Sequence, residues 1–232
     1  MNILAFDTAF DACSVAAARG LRSLAPAICP LFEAMATGHA ERLLPMIDVA
    51  LNETKLAVDD LDLIAITTGP GTFTGTRTTV AAARALALVN NTPIVALTSL
   101  KLMAMSPDAR SSGARQLAIA TDARRGEVYI ERFCPSSLKS LAPPAVLSIA
   151  EAAVSLGSLS TALAGSGAAA VADAAKRIGI DAHATATGLL PDAFDMLFWA
   201  MGQKPAATVH PLYLRPPDAK PPAPSFVSRS AL

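Results

Sequence analysis

Short apolar runs alternate with amphipathic stretches along most of the chain, and these two periods predict an α/β protein. Residues 3–6 form a wholly apolar run, and residues 13–18 form a second run that is apolar apart from Ser14. They are separated by the turn-like Asp7-Thr8-Ala9-Phe10-Asp11, and both read as strands. Over residues 40–52 the period changes. Leu43, Leu44, Ile47, Ala50 and Leu51 fall on one stripe at helical spacing, with Pro45 marking the first turn or kinking the helix. A strand at 63–67 leads through a glycine-rich turn into a helix over 73–89. A strand at 94–97 and a shorter helix from Ser99 follow. A second, similar pass begins at Gln116. Strands 116–121 and 127–133 flank the turn Asp122-Ala123-Arg124-Arg125-Gly126, and then come helix 149–156, strand 162–164, helix 168–177 and helix 192–201.

The doubled pattern predicts two related domains with mixed sheets flanked by helices, over residues 1–105 and 115–204. Residues 106–114 are polar, carry Pro107 and Gly113, and read as the connection. The stretch 205–232, with Pro216, Pro217, Pro221, Pro222 and Pro224 close together, reads as an extended or disordered tail.

Composition narrows the function. At 232 residues, 52% hydrophobic and 16% charged, the chain should bury a substantial core. Lys+Arg and Asp+Glu both number 19. A protein gripping nucleic acid alone usually has a basic surplus to neutralise phosphates, so any RNA contact is expected to be shared with a partner. Cys13, Cys29 and Cys134 match no metal spacing or disulfide framework, which suits reduced thiols. The first residues lack a basic n-region, Asp7 interrupts the apolar run, and nothing elsewhere is long enough to cross a bilayer. The expectation is a soluble, cytoplasmic protein with no membrane contact.

Candidate chemistry is sparse. In Thr67-Thr68-Gly69-Pro70-Gly71-Thr72-Phe73-Thr74-Gly75-Thr76-Arg77 a strand ends, glycines permit a tight turn and a helix begins. Its first amides could hold an anion, or Thr72 or Thr74 could simply cap them. No Gly-Lys-Ser/Thr triplet follows, so this is not a Walker loop. Gly75, Thr79, Ala82 and Ala83 give the next helix a small face that lets another helix come close, within the fold or across a subunit boundary. His39 at a helix start reads as a capping or surface group beside Glu41, and His183 and His210 are at no ligand spacing. The hydrolase and metallopeptidase signatures are missing, and the Ser136/Lys139 match to Ser-x-x-Lys lies in a loop without companion motifs.

Six segments, in order, resemble the TsaB (YeaZ) family. They are Ile3-Leu4-Ala5-Phe6-Asp7-Thr8; Cys13-Ser14-Val15-Ala16; His39-Ala40-Glu41-Arg42-Leu43-Leu44-Pro45; Gly69-Pro70-Gly71-Thr72-Phe73-Thr74-Gly75 with Arg77; Asp122-Ala123-Arg124 with Gly126-Glu127-Val128-Tyr129; and Pro211-Leu212-Tyr213-Leu214-Arg215. The resemblance implies the two-domain fold of the actin, sugar-kinase and Hsp70 ATPases. It also implies a non-catalytic subunit that binds and activates a TsaD-type transferase, in the complex that forms N6-threonylcarbamoyladenosine next to the anticodon of tRNA. By the same resemblance a TsaE-type ATPase is a further partner, tRNA is met only within the complex, and the chain alone forms a homodimer.

Leu43, Leu44, Ile47, Leu51, Thr79, Ala82 and Ala83 are the candidate partner interface, and Leu43 and Ala83 are where a charge should break it. Asp7, Thr8, Gly69, Gly71, Thr72, Thr74, Gly75 and Asp122 are the candidate remnants of nucleotide loops. The relatives' Asp-x-Gly loop reads Asp7-Thr8-Ala9 here, and Ser99 and Met103 stand where a TsaD-type enzyme carries its metal-binding histidines. No cofactor is then required. Weak ATP or ADP binding, at these loops or at the heterodimer seam, stays open. A working ATPase or kinase of this fold, and a peptidase, are the two rivals.

Overall fold

β1 (Ile3–Asp7) is buried at every position, and a strand without a polar face must be covered on both sides. The computed structural model, which describes residues 1–111 and 113–215, shows how. β2 (Ala12–Arg19) pairs antiparallel with β1, and β3 (Ala27–Ala34) pairs antiparallel with β2. After α1 (His39–Thr54), β4 (Leu63–Thr67) joins β1 in parallel; α2 (Phe73–Asn90) then leads to β5 (Ile94–Leu97) beside β4. The first sheet therefore runs β3-β2-β1-β4-β5.

The chain then passes through α3 (Ser99–Met105) and α4 (Pro107–Arg110) and repeats the plan. β6 (Gln116–Asp122), β7 (Glu127–Phe133), β8 (Ser140–Ser148), α5 (Ile149–Ser155), β9 (Thr161–Ala164), α6 (Ala168–Arg177) and β10 (Ala182–Ala186) build a second sheet in the order β10-β9-β6-β7-β8. β6 is antiparallel to β7 and parallel to β9, as β1 is to β2 and β4. The two lobes share one topology, the α/β arrangement expected of the actin-like fold.

Five layers result. α1 and α2 cover the outer face of the first sheet, where Leu43, Ile47 and Val80 meet Leu4, Phe6 and Ile66. Its inner face, with Ile3, Ala5 and Val95, packs on Leu102 and Met105 of α3 and on α7 (Met196–Ala200). The second sheet is covered outside by α5 and α6 and inside by Leu100, Met103 and Ala104 of the same α3. α3 thus contributes side chains to both cores.

Four expectations are corrected. β3, β8 and β10 are strands that the apolar pattern does not announce. The connection 106–114 contains the helical turn α4, with Pro107 at its first position, where the missing N–H costs nothing. Residues 192–201 open as a 3-10 turn, and α7 packs on the first sheet rather than within the second half of the chain. The stretch 205–215 is tied down: Ala206 N–H donates to Ile94 O (2.8 Å), Leu212 N–H donates to Thr68 O (2.7 Å), and Val209 lies in the first core. The rest of the expected tail, 216–232, lies outside the described residues.

Candidate functional site

The inner ends of the two sheets face each other across a cleft of about 340 Å³, lined by Phe10, Gly71, Thr72, Asp122, Arg124 and Arg215 among others. Of the expected loop residues, Gly71, Thr72 and Asp122 reach this cleft, whereas Asp7, Thr8 and Gly75 are buried beside it. Thr74 is exposed, and Gly69 sits with its Cα near Leu212 O and the Thr76 side chain.

The first loop and the start of α2 fill each other. Thr72 N–H donates to Ala9 O (2.7 Å), and Thr72 caps the helix by accepting the Gly75 N–H at 3.1 Å. A Cβ at Gly71 would lie 2.2 Å from Ala9 O, and one at Gly75 would lie 1.9 Å from Thr8 O. Both glycines are there because backbone approaches backbone. The groups turned toward the helix start are therefore carbonyl oxygens, which repel a phosphate rather than cradle it. Of the two readings of the turn, the cap is the one whose hydrogen bonds are seen.

Beneath the turn lies a polar network. Thr8 Oγ1 donates to Gly75 O at 2.8 Å and lies 2.8 Å from Thr79 Oγ1, while Thr8 N–H donates to Thr79 Oγ1 at 3.1 Å. Asp7 accepts from the Ala9 N–H (3.1 Å) and from the Thr67 hydroxyl. Burial outweighs these donors and pushes its carboxyl up to about 6.

The opposite wall is the turn after β6. Arg124, Arg125 and Gly126 have φ of 65°, 59° and 74°, so three successive residues are left-handed, two of them paying the Cβ penalty. Arg124 N–H donates to Asp122 Oδ1 (2.9 Å), Glu127 N–H donates to Arg124 O (3.1 Å), and Asp122 N–H donates to Ser166 Oγ (3.0 Å). The first two bonds close a hairpin and the third ties it to the loop after β9, so these three amides are not free to receive an anion. Arg215 completes the wall by donating to Ala123 O at 2.9 Å and pairing with Glu127. Composition hides this arginine among prolines, but the run Leu212-Tyr213-Leu214 before it is too apolar for a loose tail.

Most of the candidate interface residues are buried. Leu43, Ile47, Leu51, Thr79 and Ala83 are buried, Ala82 is half-buried, and only Leu44, at 56% exposure, is open to solvent. The stripe at helical spacing is core, because it faces the fully apolar strands β1 and β4. The exposed apolar side chains of the two helices are instead Leu44 and Val49 on α1 and Phe73, Leu88 and Val89 on α2. His39 is likewise structural, donating through Nε2 to Phe10 O at 2.8 Å, while Arg42 donates through Nε to Glu33 at 2.7 Å. Ser99 is buried with its hydroxyl donating to Pro70 O, Met103 is core, and among the described residues no three His, Cys, Asp or Glu side chains cluster as metal ligands. No helix of the described residues is long and apolar enough to cross a membrane.

Similarity to known proteins falls on this same framework. The family model described as TsaD, tRNA N6-adenosine threonylcarbamoyltransferase, matches residues 28–210. The Escherichia coli tRNA threonylcarbamoyladenosine biosynthesis protein TsaB is 38% identical over 130 residues, covering 56% of this chain and 53% of that protein. Its Haemophilus influenzae counterpart is 33% identical over 141 residues, covering 60% and 57%. The chain thus spans little more than half the length of these curated relatives. YeaZ from Pseudomonas aeruginosa superposes with a TM-score of 0.77 at 32% identity, covering 92% of this chain and 99% of that one.

Proposed function

This chain belongs to the TsaB (YeaZ) family, and on that premise we propose that it is a non-catalytic subunit in the formation of N6-threonylcarbamoyladenosine in tRNA. It binds a TsaD-type transferase through the outward faces of α1 and α2 and stabilises that partner's productive conformation. The observation that carries this reading is the exposure of Leu44, Val49, Leu88 and Val89, at 45% to 80%, on the outer surface of the first lobe. Exposed apolar side chains mark an interaction surface where they form one contiguous patch, which is what this reading requires of them.

Several parts of the reading follow from the family rather than from geometry: a TsaE-type ATPase as a further partner, tRNA contact only within the assembly, and a homodimer through the same face when the transferase is absent. A nucleotide, where one takes part, belongs to the heterodimer seam, since the loops beside the cleft present carbonyl oxygens. The near-zero net charge agrees with shared RNA contact.

The test is sedimentation of the chain with the TsaD-type subunit of the same genome. The variant carries Leu44→Arg and Leu88→Arg on exposed positions, since Leu43 and Ala83 are core. A heterodimer that forms with wild type and is lost in the double variant, at unchanged melting temperature, supports the reading. Absence of association at micromolar concentration, with or without ATP, removes it.

A further inference from the structure

We propose that the stretch 206–215 is a clasp that locks the two lobes at one angle, with Arg215 as its hook. The strap is fastened to the first lobe by Ala206 N–H on Ile94 O (2.8 Å), by Leu212 N–H on Thr68 O (2.7 Å) and by buried Val209. Its last hold there is aromatic: the Tyr213 ring stacks on Phe73 with centroids 5.2 Å apart, and the Arg77 guanidinium lies 4.7 Å from the Phe73 centroid. One residue beyond Leu214 the chain reaches across. Arg215 donates to Ala123 O at 2.9 Å and pairs with Glu127, both on the second lobe.

The receiving strand is built for a second grip. Along β7, Val128 and Ile130 face the outer core of the second sheet, so the alternate residues Glu127, Tyr129, Glu131 and Phe133 face inward. Glu131, only 4% exposed, accepts from the Thr98 hydroxyl of the first lobe at 2.7 Å. Glu127 and Glu131 lie four residues apart, about 13 Å along a strand. The lobes already share α3; two polar contacts that far apart on one strand add resistance to rotation about it. The Arg215 grip is the outer of the two and its side chains are 21% and 38% exposed, so it is the one that salt weakens. The device does not depend on which partner docks on α1 and α2.

The test is an inter-lobe distance measured by pulsed spin–spin spectroscopy. Labels go on Asn52→Cys and Lys176→Cys, both exposed, in a chain carrying Cys29→Ser and Cys134→Ser. Diluted with excess unlabelled chain, so that distances between protomers of a homodimer do not contribute, the parent should give one narrow distance distribution. Arg215→Gln, which loses the holds on both Ala123 and Glu127, should broaden it most. Glu127→Gln should broaden it less, and the double variant should broaden it no further than Arg215→Gln. Arg215→Lys, which keeps the charge but lacks the forked donors, should fall between parent and Arg215→Gln. Distributions unchanged in Arg215→Gln and Glu127→Gln, with circular dichroism preserved, would overturn the clasp. If Arg215→Gln does not fold, Glu127→Gln decides alone, since it leaves the strap's own backbone anchors in place.

Discussion

Asp7 is a carboxyl held where the fold prefers it neutral. Its ordinary value of 3.8 is raised to about 6 by burial, which the Thr67 and Ala9 donors only partly offset. The folded state therefore gains from the protonated form fully below 3.8, and loses that gain as pH rises through about 6. Asp7→Asn removes the ionisation while keeping an oxygen for the Ala9 N–H. It should be more stable than wild type by roughly 2–3 kcal/mol at pH 7.5, with the gap closing by pH 3.5, as read from urea midpoints. An equal gap at both pH values would show that ionisation of Asp7 is not the cause. The neighbouring glycines make the opposite point. Gly75→Ala improves helix propensity, yet it aims a Cβ at Thr8 O from 1.9 Å. It should cost roughly 3 kcal/mol or more, visible in the same titration. Neither demand shows in the sequence, where the turn reads equally well as a phosphate loop. Which groups face the helix start is decided by a loop some 60 residues away in the chain.

At the scale of elements, legibility follows position in the sheet. The strands read from apolar runs (β1, β2, β4, β6, β7 and β9) all lie inside a sheet, with β5 the one edge strand also read. The missed strands β3, β8 and β10 are all edges. An edge strand is paired on one side and partly solvated, so it can carry Pro30, or Pro143 and Pro144, without losing a ladder bond, and it needs no dense apolar run. β10, Ala-His-Ala-Thr-Ala, has hardly any apolar bulk to read. The longer helices α1 and α2 are legible as elements, but their apolar stripe shows which face is core and not which face is offered. α1 makes the difference measurable. Leu43→Arg buries an unpaired charge and should unfold the chain or cost several kcal/mol. Leu44→Arg, one residue on and 56% exposed, should move stability by about 0.5 kcal/mol or less while abolishing association with the transferase subunit. Thermal melts and sedimentation of the two variants separate fold from interface. Equal losses of stability would mean that Leu44 is core after all.

For the whole molecule, the question is whether two lobes of the same topology behave as two folding units. Each has its own sheet and its own outer helix pair, which argues for independence. α3 argues the other way. Within seven residues it sends Leu102 and Met105 into the first core and Leu100, Met103 and Ala104 into the second. A helix that short has no stability of its own, so it persists only while both faces are covered, and each lobe loses part of its core when the other unfolds. The second lobe also leaves Glu131 buried at this seam, its carboxyl raised by burial despite the Thr98 and Ser140 donors. Leu100→Ala, fully buried against the second sheet, should cost about 2–5 kcal/mol. The coupling through α3 determines how that loss is distributed. Amide exchange of β1 and β6, followed in rising denaturant, should accelerate together in the variant, because opening one side of α3 uncovers the other. Faster exchange confined to β6 would show that the lobes unfold separately and that their shared helix merely spans them.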